Sequence, residues 1–303
     1  MWFWFALIAL LCWSGSDLFS KIGCQDARDK YSHLKMVTAV GVVMGLHAAY
    51  EVFVKGVEIS WPIILTYLPV SCLYILSMAI GYLGLRYIEL SISSPICNSS
   101  GAIVAVLTFI TVGIGDELPP IALVAVGLVC IGVIALGFTE ANEDEELRRA
   151  RQDASNHHYA KSWIAILIPV VYCLLDALGT FADSKVLETL DEESANVAYE
   201  LTFLAMGILC AIYVLGVKKQ KLAAKEEAPK YTGAVFETIG QLFYIYALAD
   251  SEHVAFAAPI ISSYCVASVL WSRLFLKEKL SWKHYASIAV VVAGIVILGV
   301  LDI

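Results

Sequence analysis

Residues 10–21 read LLCWSGSDLFSK, and residues 174–185 read LLDALGTFADSK. The leucine pair, the glycine and the closing Ser-Lys fall in register: Gly15 on Gly179, Ser20 on Ser184, Lys21 on Lys185, an offset of 164 residues. The same offset reaches well beyond this stretch. Thr38 meets Thr202, Tyr82 meets Tyr246, and Pro95, Ile96 and Ser99 meet Pro259, Ile260 and Ser263. The chain is one unit written twice, so the fold must be one that two copies of that unit build together.

The unit is made for lipid. Of 303 residues 59% are hydrophobic and 16% charged, whereas a soluble domain carries about a quarter charged residues. Mean hydropathy is +0.76. Crossing about 30 Å of hydrocarbon takes about 20 apolar residues, and ten such runs can be marked, near 2–22, 33–54, 62–85, 90–114, 119–138, 162–184, 195–217, 231–249, 253–275 and 282–300. These predict an all-α integral membrane protein with ten transmembrane helices. The expected organisation is a first five-helix repeat (1–138), a charged connection (139–161) and a second five-helix repeat (162–303). An odd number of spans per copy inverts one copy relative to the other, an arrangement that many secondary transporters use with the solute site between the halves. The first run lacks a basic leader, and its counterpart begins mid-chain, so it reads as a permanent span rather than a signal peptide.

The loops set the orientation. Assigned to the nearer face, 18 of the 20 Lys and Arg residues fall on connections 1–2, 3–4, 5–6, 7–8 and 9–10, leaving Lys55 and Lys185 opposite. The positive-inside rule makes the basic face cytoplasmic and both termini extracytoplasmic. Net charge is −8 and no folded basic surface is in view, which speaks against nucleic-acid binding. Eight cysteines without a CxxC, and His157-His158 without a third ligand, give no metal site, disulfide or cofactor to expect. The partners to expect are a small solute, the bilayer and, at most, a second copy of the chain as a homodimer.

A longer pattern closes each half. Ser251–Gly299 reads SEHVAFAAPIISSYCVASVLWSRLFLKEKLSWKHYASIAVVVAGIVILG, with the turn Lys277-Glu278-Lys279-Leu280 before an apolar helix rich in Gly and Val. The first half repeats it loosely as SISSPICNSSGAIVAVLTFITVGIGDELPP, where Asp116-Glu117-Leu118 lacks the basic residue. This resembles the EamA-type drug/metabolite transporter superfamily over both halves. The resemblance implies a solute carrier or exporter, not an enzyme, and leaves the solute open. It also implies cytoplasmic termini, opposite to the charge count.

An ionisable group in a span costs roughly 2.5–3.5 kcal/mol at the centre, so each needs a reason. Asp17 shares a helix face with Trp13 and Lys21; Tyr172, Asp176, Gly179 and Asp183 share another; Glu237, Gln241 and Tyr244 form a third stripe. Asp176 and Glu237 lie deepest, and their repeat positions are Cys12 and Leu73, so they break the symmetry. They are the leading candidates for solute recognition or proton coupling. Gln241, Asp17, Trp13, Tyr172 and Tyr244 are further candidates for the same roles, although Asp17, with Lys21, Asp183 and Lys185, lies nearer a helix end, where interfacial pairing or snorkelling is the competing expectation. Pro95 and Pro259 are expected to begin the fourth and ninth helices as hinges, with Asn98, Ser262 and Tyr264 beside them. Aromatic faces next to a carboxylate suit an organic cation or zwitterion. The rival functions are efflux of hydrophobic cations or drugs, and a receptor that moves nothing.

Overall fold

The computed structural model describes all residues except 25, 27–28, 86–89, 113–119, 142–162, 277–279 and 302–303. The turns at 116–118 and 277–279, most of the 139–161 connection, and Arg86 and Glu89 therefore lie outside the described residues. Those described form α1 (Trp2–Cys24), α2 (Ser32–Tyr50), α3 (Trp61–Gly84), α4 (Leu90–Cys97), α5 (Ser100–Val112), α6 (Pro120–Ala141), α7 (Trp163–Val186), α8 (Glu192–Ala211), α9 (Ala224–Leu248), α10 (Val254–Ser262), α11 (Tyr264–Phe275) and α12 (Trp282–Leu301). Helices coincide with each of the ten apolar runs. The second run of each copy finishes alike, in π-helical turns at Glu51–Lys55 and Ile212–Val217.

Local chemistry sets several ends. Asp191 caps α8 by accepting a hydrogen bond from the Ser194 backbone N–H (2.8 Å), and Glu192 and Glu193 follow in the first turn, where the helix dipole favours acids. Gly56, at φ +78°, ends the first π-helical segment in a left-handed conformation that suits glycine.

Seven of the described helical stretches are long and apolar enough to cross a membrane, and Ser100–Thr111 and Trp282–Leu298 are shorter apolar helices. α9 is not among the seven, and its apolar stretch carries Glu237 and Gln241. Its polarity is turned inward: Glu227, Lys230, Glu237, Thr238 and Gln241 are buried, while Val235 and Ile239 are exposed. At its N-terminal end Glu227 holds Lys230 (3.0 Å) and Lys35 (3.4 Å), and Lys35 also holds Asp29 (2.8 Å). That buried network lets α9 begin seven residues before the apolar run does.

The largest helix pairings correspond between the two halves. α1 lies on α9 and α7 lies on α3; α2 pairs with its own counterpart α8, and α6 with α12. The partners run antiparallel. Along α1 and α9, Trp13 meets Gly240, Ser20 meets Gly233 and Gly23 meets Lys230; along α3 and α7, Tyr74 meets Gly179, Gly81 meets Tyr172 and Gly84 meets Ile168. α2 and α8 approach backbone to backbone. A Cβ on Gly41 would stand 2.7 Å from the Phe203 carbonyl oxygen and 2.9 Å from the Gly207 Cα. Small residues let the backbones of membrane helices touch in this way.

The fourth and ninth runs are each interrupted, but not where the prolines predict. Pro95 and Pro259 sit inside α4 and α10, and the interruptions come later, at Asn98–Ser99 and at Ser263. Short side chains there compete for the carbonyls: Asn98 Nδ2 donates to the Ser94 oxygen (2.8 Å) and Ser263 Oγ to that of Ile260 (2.5 Å). The backbone tightens at the same repeat position in both copies, Ala102 N–H bonding to Ser99 and Val266 N–H to Ser263. Such three-residue closures mark a local break in an α-helix.

Candidate functional site

The inward polar faces line one cavity. The structure brings all ten site residues singled out from sequence to its wall: Trp13, Asp17, Asn98, Tyr172, Asp176, Glu237, Gln241, Tyr244, Ser262 and Tyr264. Of the two hinge prolines, Pro259 lies in a smaller pocket beside the breaks, with Asn98, Ser99 and Ser262.

Each carboxylate of the wall is held by serine hydroxyls. Asp17, on α1, accepts from Ser94 of α4 (2.5 Å) and Ser268 of α11 (2.8 Å). Asp176, on α7, accepts from Ser100 (2.7 Å), the first residue after the break in the fourth run. Glu237, on α9, accepts from Ser16 of α1 (2.7 Å). Both interrupted runs are thus tied to acids on the first helix of a repeat. Aromatic rings complete the wall: Trp13 packs 4.9 Å from Tyr244 and 5.9 Å from Tyr264.

Among the described lining residues there is no Lys or Arg. Four polar groups of the wall are buried without a hydrogen-bond partner among the described residues: Trp13 Nε1, Ser20 Oγ, Tyr82 OH and Gln241 Nε2. Buried polar groups are nearly always satisfied, so these four are placed for water or for a bound molecule.

Position near a helix end misjudged two groups. Asp183 is fully buried rather than interfacial, accepting from Tyr67 OH (2.8 Å) and Tyr74 OH (3.3 Å). The Tyr74 hydroxyl also bonds with the Tyr244 hydroxyl and lies 3.3 Å from that of Thr180. This network joins α3 of the first half to α7 and α9 of the second. Lys21 is also buried and donates to the Leu85 carbonyl (2.9 Å), whereas Lys185 remains exposed beside Glu188 (2.7 Å). Tyr199, Thr180, Ser16 and Ser94 are further wall residues that no stripe of acids pointed to. Outside the cavity, Glu200 is buried against His47 (2.8 Å) and Asn196 (3.1 Å).

The Asp183 network gives a stability test. Tyr67→Phe removes one hydrogen bond to a buried carboxylate, a loss of about 1.5–3 kcal/mol. Thermal unfolding of the purified protein should register a lower midpoint; an unchanged midpoint would count against the bond.

An all-helical chain with seven membrane-length apolar stretches and its polar faces turned inward is a multi-pass membrane protein. Residues 163–300 match the model of the EamA-like transporter family. The crystal structure of another protein superimposes with a TM-score of 0.67, covering 99% of this chain and 96% of that one at 14% identity. At that identity the likeness shows the shared fold. No curated protein sequence matches the chain significantly.

Proposed function

We propose that the chain is a secondary-active transporter that carries a small organic solute across the membrane by alternating access. The observation that carries this reading is the acid-lined cavity between two halves whose largest helix pairings correspond. The reading takes both halves as EamA-like units of five spans each, one inverted relative to the other. The antiparallel course of α2 against its own counterpart α8 supports it. Rocking one half against the other would open the cavity to each face in turn. The Asp183–Tyr67–Tyr74–Tyr244 network, which crosses between the halves, is the contact that must part on one side. Glu237 and Asp176 serve solute recognition or proton coupling, and no step of chemical catalysis is assigned. By its lysines and arginines the chain sits with both termini outside the cytoplasm.

The test begins with a solute that raises the melting temperature of the purified protein, since a ligand of the folded state stabilises it. In liposomes preloaded with that solute, the external labelled form should accumulate by counterflow. Binding without counterflow would favour a receptor over a carrier.

A further inference from the structure

The cavity wall offers two kinds of group. One kind is acidic: Asp17, Asp176 and Glu237, with no Lys or Arg among the described lining residues to oppose them. The other is a pair of nitrogen donors, Trp13 Nε1 and Gln241 Nε2, buried without a partner among the described residues. The donors lie where α1 crosses α9: the Trp13 indole packs on Gly240, the neighbour of Gln241. Glu237 stands one turn away on the same face of α9.

Each kind of group selects a ligand feature. A protonated amine finds carboxylates, and beside them the faces of Trp13, Tyr244 and Tyr264, which attract cations. The nitrogen donors can only donate, so they call for an acceptor. An acceptor bearing a full negative charge is disfavoured, because three acids share the cavity and no described lining residue supplies a positive counter-charge. The acceptor must be neutral: an amide or ester carbonyl, a hydroxyl or a ring nitrogen.

We infer that the cavity takes a net-cationic organic amine that also carries a neutral hydrogen-bond acceptor, with the ammonium on the Asp17, Asp176 and Glu237 side and the acceptor on Trp13 and Gln241. This names the substrate class for the transporter proposed above and rests on that reading only for the movement of the ligand, not for its binding.

Four probes of nearly equal size separate the classes: phenylalaninamide (ammonium and neutral carbonyl), 2-phenylethylamine (ammonium alone), phenylalanine (zwitterion) and 3-phenylpropionate (anion). Binding is read on the purified full chain by ligand-dependent thermal shift. Phenylalaninamide should bind best, about three- to tenfold better than 2-phenylethylamine, the worth of one neutral hydrogen bond or two. The zwitterion should be weaker than either, and the anion should give no shift. Gln241→Leu, which removes a buried unpaired donor and so is compatible with folding, should collapse the amide-over-amine preference to near one. Asp17→Asn should weaken both cations. Equal or tighter binding of phenylalanine or 3-phenylpropionate overturns the inference, as does the absence of a shift with either cation. If an anion binds and is carried, the transporter reading stands and the substrate class falls. If the amide binds and shows no counterflow, the site assignment stands and the transporter reading falls.

Discussion

Glu237→Gln and Asp176→Asn should each cut solute uptake into vesicles by about ten- to a hundredfold while leaving the protein folded. Both changes keep the size of the side chain and an oxygen that can accept from Ser16 or Ser100, the serines that hold the carboxylates now (2.7 Å in each case). What is lost is the negative charge. A hydrogen bond to a charged group contributes about 1.5–3 kcal/mol, and each 1.4 kcal/mol is a factor of ten in affinity. The same substitutions remove an exchangeable proton, so any proton-driven component of uptake should vanish with them. Uptake measured with and without a pH gradient separates the two effects. Unchanged flux in both variants would remove these carboxylates from the mechanism.

Gly41→Val should destabilise the folded chain by about 3 kcal/mol, at the upper end of what overpacking costs. The atoms a side chain would meet are the Phe203 carbonyl oxygen and the Gly207 Cα. Both belong to backbone, which cannot turn aside as a side-chain tip can. α2 and α8 would have to separate, and with them the join between the two halves. Gly127 is the control, because a Cβ there would meet nothing within 4 Å. Gly127→Ala should leave stability unchanged or raise it by up to about 1 kcal/mol through helix propensity. Chemical or thermal unfolding of both variants checks the contrast, and equal effects would contradict the close α2–α8 contact.

Much of this was legible in the chain because lipid leaves few options. A polar side chain in a span must face inward, so the stripes Trp13/Asp17, Tyr172/Asp176 and Glu237/Gln241/Tyr244 had to converge, and they line one cavity. The repeat register of Gly15 and Gly179 was visible too, and each takes an aromatic ring of the facing helix, Phe236 and Tyr74 respectively. What was not legible depends on partners far away in sequence. Asp183 reads as an interfacial acid until Tyr67, 116 positions earlier, is seen to donate to it. Trp2, beside the chain start, is buried and stacked 5.0 Å from His253, a partner about 250 positions away that no local pattern announces. Pro95 and Pro259 read as helix starts but sit inside α4 and α10, and the helices part at Asn98–Ser99 and Ser263, where short side chains bond back to the preceding carbonyls.

Alternating access predicts that one cavity residue meets both aqueous phases. Cys97 is such a residue: it lines the cavity and is buried within it. With the other seven of the eight cysteines replaced, reconstituted protein can be treated with a membrane-impermeant maleimide added outside or trapped inside the liposomes. Protein inserted in a single orientation should be labelled at Cys97 from either face, and a bound solute should slow both reactions. Labelling from one face only, under every solute condition, would contradict a cavity that opens alternately to the two sides.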